Sequence, residues 1–106
     1  MGFADLFQRT DINKGMEQYR SETDGILLDV RTREEYAEGH IESSINIPLQ
    51  AIGNVTQHIQ NKSVPIYTYC LSGARSRQAS ASLKAMGYTK VINIGGIHGY
   101  RGEIVR

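Results

Sequence analysis

Val64-Pro65-Ile66-Tyr67-Thr68-Tyr69-Cys70-Leu71-Ser72-Gly73-Ala74-Arg75-Ser76 is the stretch on which the fold turns. Its first half, Val64 to Tyr69, is rich in β-branched and aromatic residues and reads as a buried strand. Pro65 stands near its start, where a missing N–H is tolerated. From Ser76 to Met86 the composition turns helical, with Ala79, Leu83 and Met86 on one face at i, i+4 and i+7. Gly87 ends that helix. A strand that runs straight into a helix is the building unit of parallel α/β sheets.

The flanks repeat the unit. Gly25 to Val30 is a compact apolar run, best read as a second buried strand. Thr32-Arg33-Glu34-Glu35 follows in capping-box form, a hydroxyl at the N-cap and a carboxylate three residues on. Gly39 reads as a left-handed C-cap for that short helix. Ser44 to Ile47 is a strand stopped by Pro48, and Gln50 to Ile59 is a helix weakened by Gly53, Val55 and Thr56. Val91 to Ile94 is a further buried strand before Gly95-Gly96. Asp11 to Arg20 reads as an early helix, with the residues before it as an edge strand. The pattern predicts a three-layer α/β sandwich with a mainly parallel five-stranded sheet and helices on both faces.

Composition bounds the function. The 106 residues, 40% of them hydrophobic and 22% charged, fit one domain over 1–106 with one core. A net charge of +1 gives no bulk attraction to nucleic acid or to an anionic membrane. No apolar run approaches the ~18 residues of a membrane-spanning helix. The opening MGFADLFQRTDINKG carries acids and lacks the apolar stretch of a secretory signal, so a cytoplasmic protein is expected. The single Cys70 rules out an internal disulfide, a CxxC redox pair and a multi-thiolate zinc site. His40, His58 and His98 stand too far apart in sequence to form a ligand-spaced metal cluster.

Parallel sheets place their working sites just beyond the carboxyl ends of strands, which is where Cys70 lies. A lone cysteine is ordinarily a buried, inert hydrophobe. At a strand-to-helix junction it instead meets the positive end of a helix dipole and backbone N–H groups, both of which favour thiolate over thiol. Gly73 lets the backbone curl so that successive N–H groups of Leu71, Ser72, Gly73, Ala74, Arg75 and Ser76 turn inward as an anion nest. Arg75 adds a permanent positive charge at the mouth of the helix. Ser72 and Ser76 read first as helix caps. The local chemistry is a nucleophilic sulfur within a cradle for negative charge.

Taken in order, Leu28-Asp29-Val30-Arg31, the run Glu35-Tyr36-Ala37-Glu38-Gly39-His40-Ile41 to Ile45-Asn46-Ile47-Pro48, the Cys70-to-Arg75 loop and Asn93-Ile94-Gly95-Gly96 resemble a single rhodanese domain. The likeness runs from about Ile26 to Tyr100. It implies the rhodanese fold and sulfurtransferase chemistry through a persulfide on Cys70. A small sulfur donor, thiosulfate or a persulfide, and an external thiol or cyanide acceptor are then the expected partners, with no metal or organic cofactor. Related cysteine phosphatases and arsenate reductases have a cradle one residue longer than the four residues between Cys70 and Arg75, so the spacing favours a single transferred sulfur over a phosphate. A small cysteine phosphatase and a non-catalytic sulfur-carrier or interaction module are the competing readings. Asp29 and Arg31 match the family's Asp-x-Arg stretch. They read either as a brace of the fold or as a charge pair positioning the loop or its anionic ligand. His40 reads as structural, its ring bonding a carbonyl at the helix end. Many relatives carry Trp where Tyr100 stands, which leaves one wall of the site open to difference.

Overall fold

The computed structural model describes residues 10–106. Its elements are α1 (Ile12–Ser21), β1 (Ile26–Asp29), α2 (Arg33–Glu38), β2 (His40–Ile41), β3 (Ile45–Asn46), a 3-10 segment (Leu49–Gln57), β4 (Ile66–Cys70), α3 (Ala74–Ala85), β5 (Val91–Gly96), a 3-10 turn (Ile97–Gly99) and β6 (Ile104–Val105). β3, β1, β4 and β5 form a parallel sheet in that order. β2 and β6 pair antiparallel beside it, His40 opposite Val105 and Ile41 opposite Ile104. The expected edge strand before Asp11 lies outside the described residues.

Side-chain parity along the central strand builds the layers. Successive residues of a strand face opposite sides. Ile66 and Cys70 of β4 therefore join Leu28, Val30, Ala79 and Leu83 in one core, under α3 and the 3-10 segment. Tyr67 and Tyr69 join Ile12, Met16, Leu27 and Ile94 in the other, under α1. All five residues of β4 are buried, and each large apolar side chain removed from water contributes roughly 1.5–3 kcal/mol. The result is the three-layer α/β sandwich expected from the strand–helix grammar. Parity also fixes the direction of the cysteine: Cys70 points to the α3 side, toward that helix's N-terminus.

Local expectations met mixed outcomes. The capping box is present, Glu35 N–H donating to Thr32 Oγ1 at 3.1 Å and Thr32 N–H to Glu35 Oε1 at 2.8 Å. Gly39 is not left-handed. Its φ of 162° and ψ of 136° are extended backbone, because the chain there enters β2 and pairs with β6. A Cβ there would stand 2.8 Å from Cγ2 of the exposed Ile104, so that side chain would have to shift to admit one. The segment expected as a helix over Gln50–Ile59 is instead 3-10, Leu49–Gln57, broken at Ala51 (φ −107°, ψ 16°). It buries Ile52 and Val55 without needing regular α geometry. α3 begins at Ala74, two residues before the expected Ser76.

Candidate functional site

The site grows from the β4–α3 junction. Gly73 is the N-cap of α3 with φ +109°, the left-handed conformation that favours glycine. That turn folds the loop back over the sulfur. Cys70 Sγ accepts the Gly73 N–H at 3.0 Å and the Ser76 N–H at 3.4 Å. Burial pushes the Cys70 thiol up. The hydroxyl and N–H of Ser76, with the N–H groups of Gly73 and Ser72, more than offset it and hold the thiol below its ordinary value. Cys70 itself is only 1% exposed.

Neither Ser72 nor Ser76 caps the helix, for α3 has no side-chain cap. Ser76 lies within the first turn, fully buried, and its hydroxyl donates toward Asn93 Oδ1 at 2.7 Å and Gly73 O at 3.1 Å. A hydroxyl has one proton, so Ser76 must turn away from these oxygens to serve the sulfur. Asn93 Oδ1 also accepts the Gly95 N–H at 3.0 Å, which fixes the amide orientation.

β5 supplies the floor of the loop. Its pairing with β4 shifts by one residue after Thr68, so that Gly95 lies opposite Tyr69 and Gly96 opposite Cys70. A Cβ on Gly96 would stand 2.3 Å from Leu71 O and 2.6 Å from Ser72 Cα, both backbone atoms. The loop thus rests directly on the glycine backbone. Gly95, at φ +104°, shapes the same bulge.

Arg75 does not stand unpartnered at the mouth. Its Nη1 and Nη2 donate to Glu35 Oε1 and Oε2 at 2.7 and 2.9 Å, a bidentate pair between α3 and α2. Arg75 chiefly lowers the Glu35 carboxyl, which against the cost of burial falls to about 2. The charge of Arg75 still interacts favourably with the Cys70 thiolate.

Asp29 and Arg31 are both buried and joined through Nη2–Oδ2 at 2.6 Å and Nε–Oδ1 at 3.0 Å. Arg31 also donates to Gly39 O at 2.7 Å and lies 5.7 Å from the centre of the Tyr69 ring. The pair therefore ties the end of β1 to the turn before β2 and to the residue preceding Cys70. His40 stacks on Tyr36 at 3.7 Å, with Nδ1 2.8 Å from Tyr36 O, a bond to the helix end as expected. Tyr100 turns to α1, where its hydroxyl accepts from Arg20 at 2.8 Å.

Leu71 to Ser76 are thus brought around Cys70, with Asp29 and Arg31 one strand away. Sequence reasoning missed the parts played by Glu35, Asn93, Gly95 and Gly96. The Gly-Gly pair after an apolar strand was the available signal for the floor. Nothing local marked the Glu35 pair, whose partner lies 40 residues on.

Comparison with known proteins agrees with this geometry. The Rhodanese-like domain model matches residues 10–103. Thiosulfate sulfurtransferase PspE of Escherichia coli K12 is 38% identical over 71 residues, 66% of this chain and 68% of that protein. A putative sulfur carrier protein, YrkF, of Bacillus subtilis 168 is 40% identical over 68 residues, 64% of this chain but only 36% of that protein. The chain thus spans about a third of the length of the second relative. Among solved structures, a rhodanese with anions from E. coli superposes with a TM-score of 0.72 at 34% identity, covering 77% of this chain and 98% of that one. Among the described residues no helix is long and apolar enough to cross a membrane. By the extent of the match and the arrangement of its loop, the chain belongs to the rhodanese-like domain family.

Proposed function

We propose that the 106 residues act as one sulfurtransferase domain, moving a sulfane sulfur from thiosulfate or a persulfide to a thiophilic acceptor through Cys70. The observation that carries this reading is the pair of N–H donors, Gly73 and Ser76, aimed at a buried Sγ from the start of α3. Donors fixed in place stabilise a sulfur anion without reorganising when it forms.

In the first half-reaction the Cys70 thiolate attacks the outer sulfur of thiosulfate. The S–S bond of the donor breaks, sulfite leaves with the electron pair, and Cys70–S–S⁻ remains. In the second, cyanide or a thiol attacks the terminal sulfur. The Cys70 thiolate is then the leaving group, and thiocyanate or an organic persulfide departs. Leu71, Ser72, Gly73, Ala74, Arg75 and Ser76 would hold the persulfide through backbone N–H groups, with Arg75 acting through its field while paired to Glu35. Asp29 and Arg31 would brace the base of this loop. With no second cysteine in the chain, resolution falls to an external thiol, which suits the reducing cytoplasm.

The test is intact mass after incubation with thiosulfate, beside Cys70→Ser. Gain of one sulfur atom, removed by cyanide and absent from the variant, is expected. If neither thiosulfate nor an organic persulfide adds sulfur, the reading fails. The likeness to a putative sulfur carrier favours a second reading, in which the same persulfide is passed to a partner protein instead of a small acceptor. In that case the sulfur loads but small thiols discharge it slowly.

A further inference from the structure

β5 carries a single polar side chain, Asn93, in a run that is otherwise aliphatic or glycine. Asn93 stands opposite Thr68 in the register, and both meet serines of α3: Thr68 Oγ1 lies 2.8 Å from Ser80 Oγ, and Asn93 Oδ1 lies 2.7 Å from Ser76 Oγ. The bulge that follows sets Gly95 against Tyr69, and the Gly95 N–H turns back to donate to the same Oδ1 at 3.0 Å. A backbone donor on one lone pair locks the amide with its oxygen toward α3. The second lone pair is left for the Ser76 hydroxyl.

That hydroxyl has one proton and three acceptors in reach. Asn93 Oδ1 is one. Gly73 O, at 3.1 Å, is another, but it already takes the Arg77 N–H of the helix. Cys70 Sγ is the third: the Ser76 N–H points at it from 3.4 Å, and the Ser76 hydroxyl helps to hold the thiol down. Ser76 is fully buried, so its proton cannot turn to solvent, and a buried donor left without an acceptor is costly. The charged groups around the sulfur have fixed partners. Arg75 of α3, whose field reaches the sulfur, is engaged by Glu35 of α2, and Asp29 of β1 is paired with Arg31. β5 and the 3-10 segment bring no charged side chain. The Ser76 hydroxyl is therefore the donor that can change sides.

We propose that Asn93 is a positioning residue for Cys70: it accepts the Ser76 hydroxyl while Sγ is neutral and yields it when Sγ carries charge. The use of such a switch rests on the sulfurtransferase reading, though the switch itself does not. When the thiolate takes a sulfur, its electron pair becomes the new S–S bond and the negative charge moves to the terminal sulfur. Sγ is then a weak acceptor, and the hydroxyl returns to Asn93 Oδ1 without losing a hydrogen bond. When an acceptor removes the terminal sulfur, the pair of the broken bond comes back to Sγ, and the hydroxyl swings to meet it. The serine proton stays on its oxygen throughout. Asn93 thus levels the two charge states, so that neither the free thiolate nor the loaded sulfur is favoured by a stranded donor.

The experiment is the pH profile of Cys70 alkylation in the parent, Asn93→Ala, Ser76→Ala and the double variant. Ser76→Ala is expected to raise the midpoint by about 1 pH unit, since the sulfur loses a donor. Asn93→Ala is expected to lower it by about 0.5–1 pH unit, because the hydroxyl then turns to the sulfur. With Ser76 already alanine, Asn93→Ala should move nothing. A residue that only braced the bulge would loosen the loop when removed and raise the midpoint whether or not Ser76 were present. A rise, a change that survives Ser76→Ala, or no change at all therefore overturns the proposal. Should Asn93→Ala not fold, Asn93→Asp keeps both bonds as a stronger acceptor. It should raise the midpoint, and by less once Ser76 is alanine; an equal rise in both backgrounds overturns the proposal too. Sulfur loading from thiosulfate and from an organic persulfide is measured on the same samples. If the two residues are coupled in a protein that never loads sulfur, Asn93 keeps its role and the sulfurtransferase reading falls; loading without the coupling does the reverse.

Discussion

Replacing Gly96 by alanine tests the whole construction of the loop. The new Cβ would stand 2.3 Å from Leu71 O, 2.6 Å from Ser72 Cα and 2.9 Å from Leu71 C. All three are backbone atoms that cannot rotate away as a side-chain tip can. Ordinary contact begins at 3.4 Å, so the loop must rise by about 1 Å. The bonds to the sulfur are already 3.0 Å from Gly73 N and 3.4 Å from Ser76 N, and a rise of that size breaks at least one of them. A hydrogen bond to a charged acceptor is worth about 1.5–3 kcal/mol, or about 1–2 pH units in the thiol's titration. Burial would still oppose the charge, so Cys70 in Gly96→Ala should titrate at least about one unit higher than in the parent. Overpacking should also cost about 1–3 kcal/mol of stability. The assay is the rate of iodoacetamide alkylation against pH, followed by intact mass. The parent should react fast well below pH 8.5, the ordinary thiol value, and the variant should not. Gly53→Ala is the control, since nothing lies within 4 Å of its Cβ. If Gly96→Ala folds and leaves the alkylation profile where it was, the floor does not govern the sulfur and the argument is wrong.

Two further outcomes follow from the charges. Glu35 titrates at about 2 when folded and near 4.5 when not, so its pairing with Arg75 stabilises fully above pH 4.5 and is lost as pH falls toward 2. Glu35→Gln should cost about 0.5–1 kcal/mol at neutral pH, after screening of a pair only partly buried, and the gap from the parent should close as pH falls below 4.5 in urea melts. A gap that does not change with pH contradicts this. Asp29→Ala leaves the buried Arg31 without its carboxylate and should cost about 3–5 kcal/mol, whereas Asp29→Leu with Arg31→Met should recover most of it. Equal losses in the single and double variants, measured by chemical denaturation, would show that the pair does more than balance itself.

Much of the frame was legible because its determinants are local. The β-branched run into Cys70, the Thr32–Glu35 box and the face of Ala79 and Leu83 each declare themselves within one turn or one strand. The misreadings share a different cause. Gly39 looked like a helix cap by position, yet its conformation follows from β6, some 65 residues downstream. The segment after Pro48 has helical length, but Gly53 and its β-branched neighbours let burial of Ile52 and Val55 select 3-10 turns. Arg75 announced its charge and not its partner. Ser76 looked like a cap because serine caps are common, while its true neighbour, Asn93, comes from the next strand. Cys70 was identifiable because both its strand and its helix are contiguous with it in sequence.

The pins between α1 and the turn at Gly99–Arg101 bear on how the molecule moves. Asn13 engages that turn with both ends of its amide, and Arg20 holds Tyr100 about two turns further along the same face. A turn fastened at two points to a helix is not a flap that swings alone. Its excursions must wait for α1 to fray, and α1 is itself seated on β5 with Gly15 against Ile94. Amide exchange in the turn should therefore keep pace with exchange in the first helix, as one cooperative patch. Where a hinge would let a turn swing over the surface, this latch makes the Gly99–Arg101 turn a standing feature of the fold.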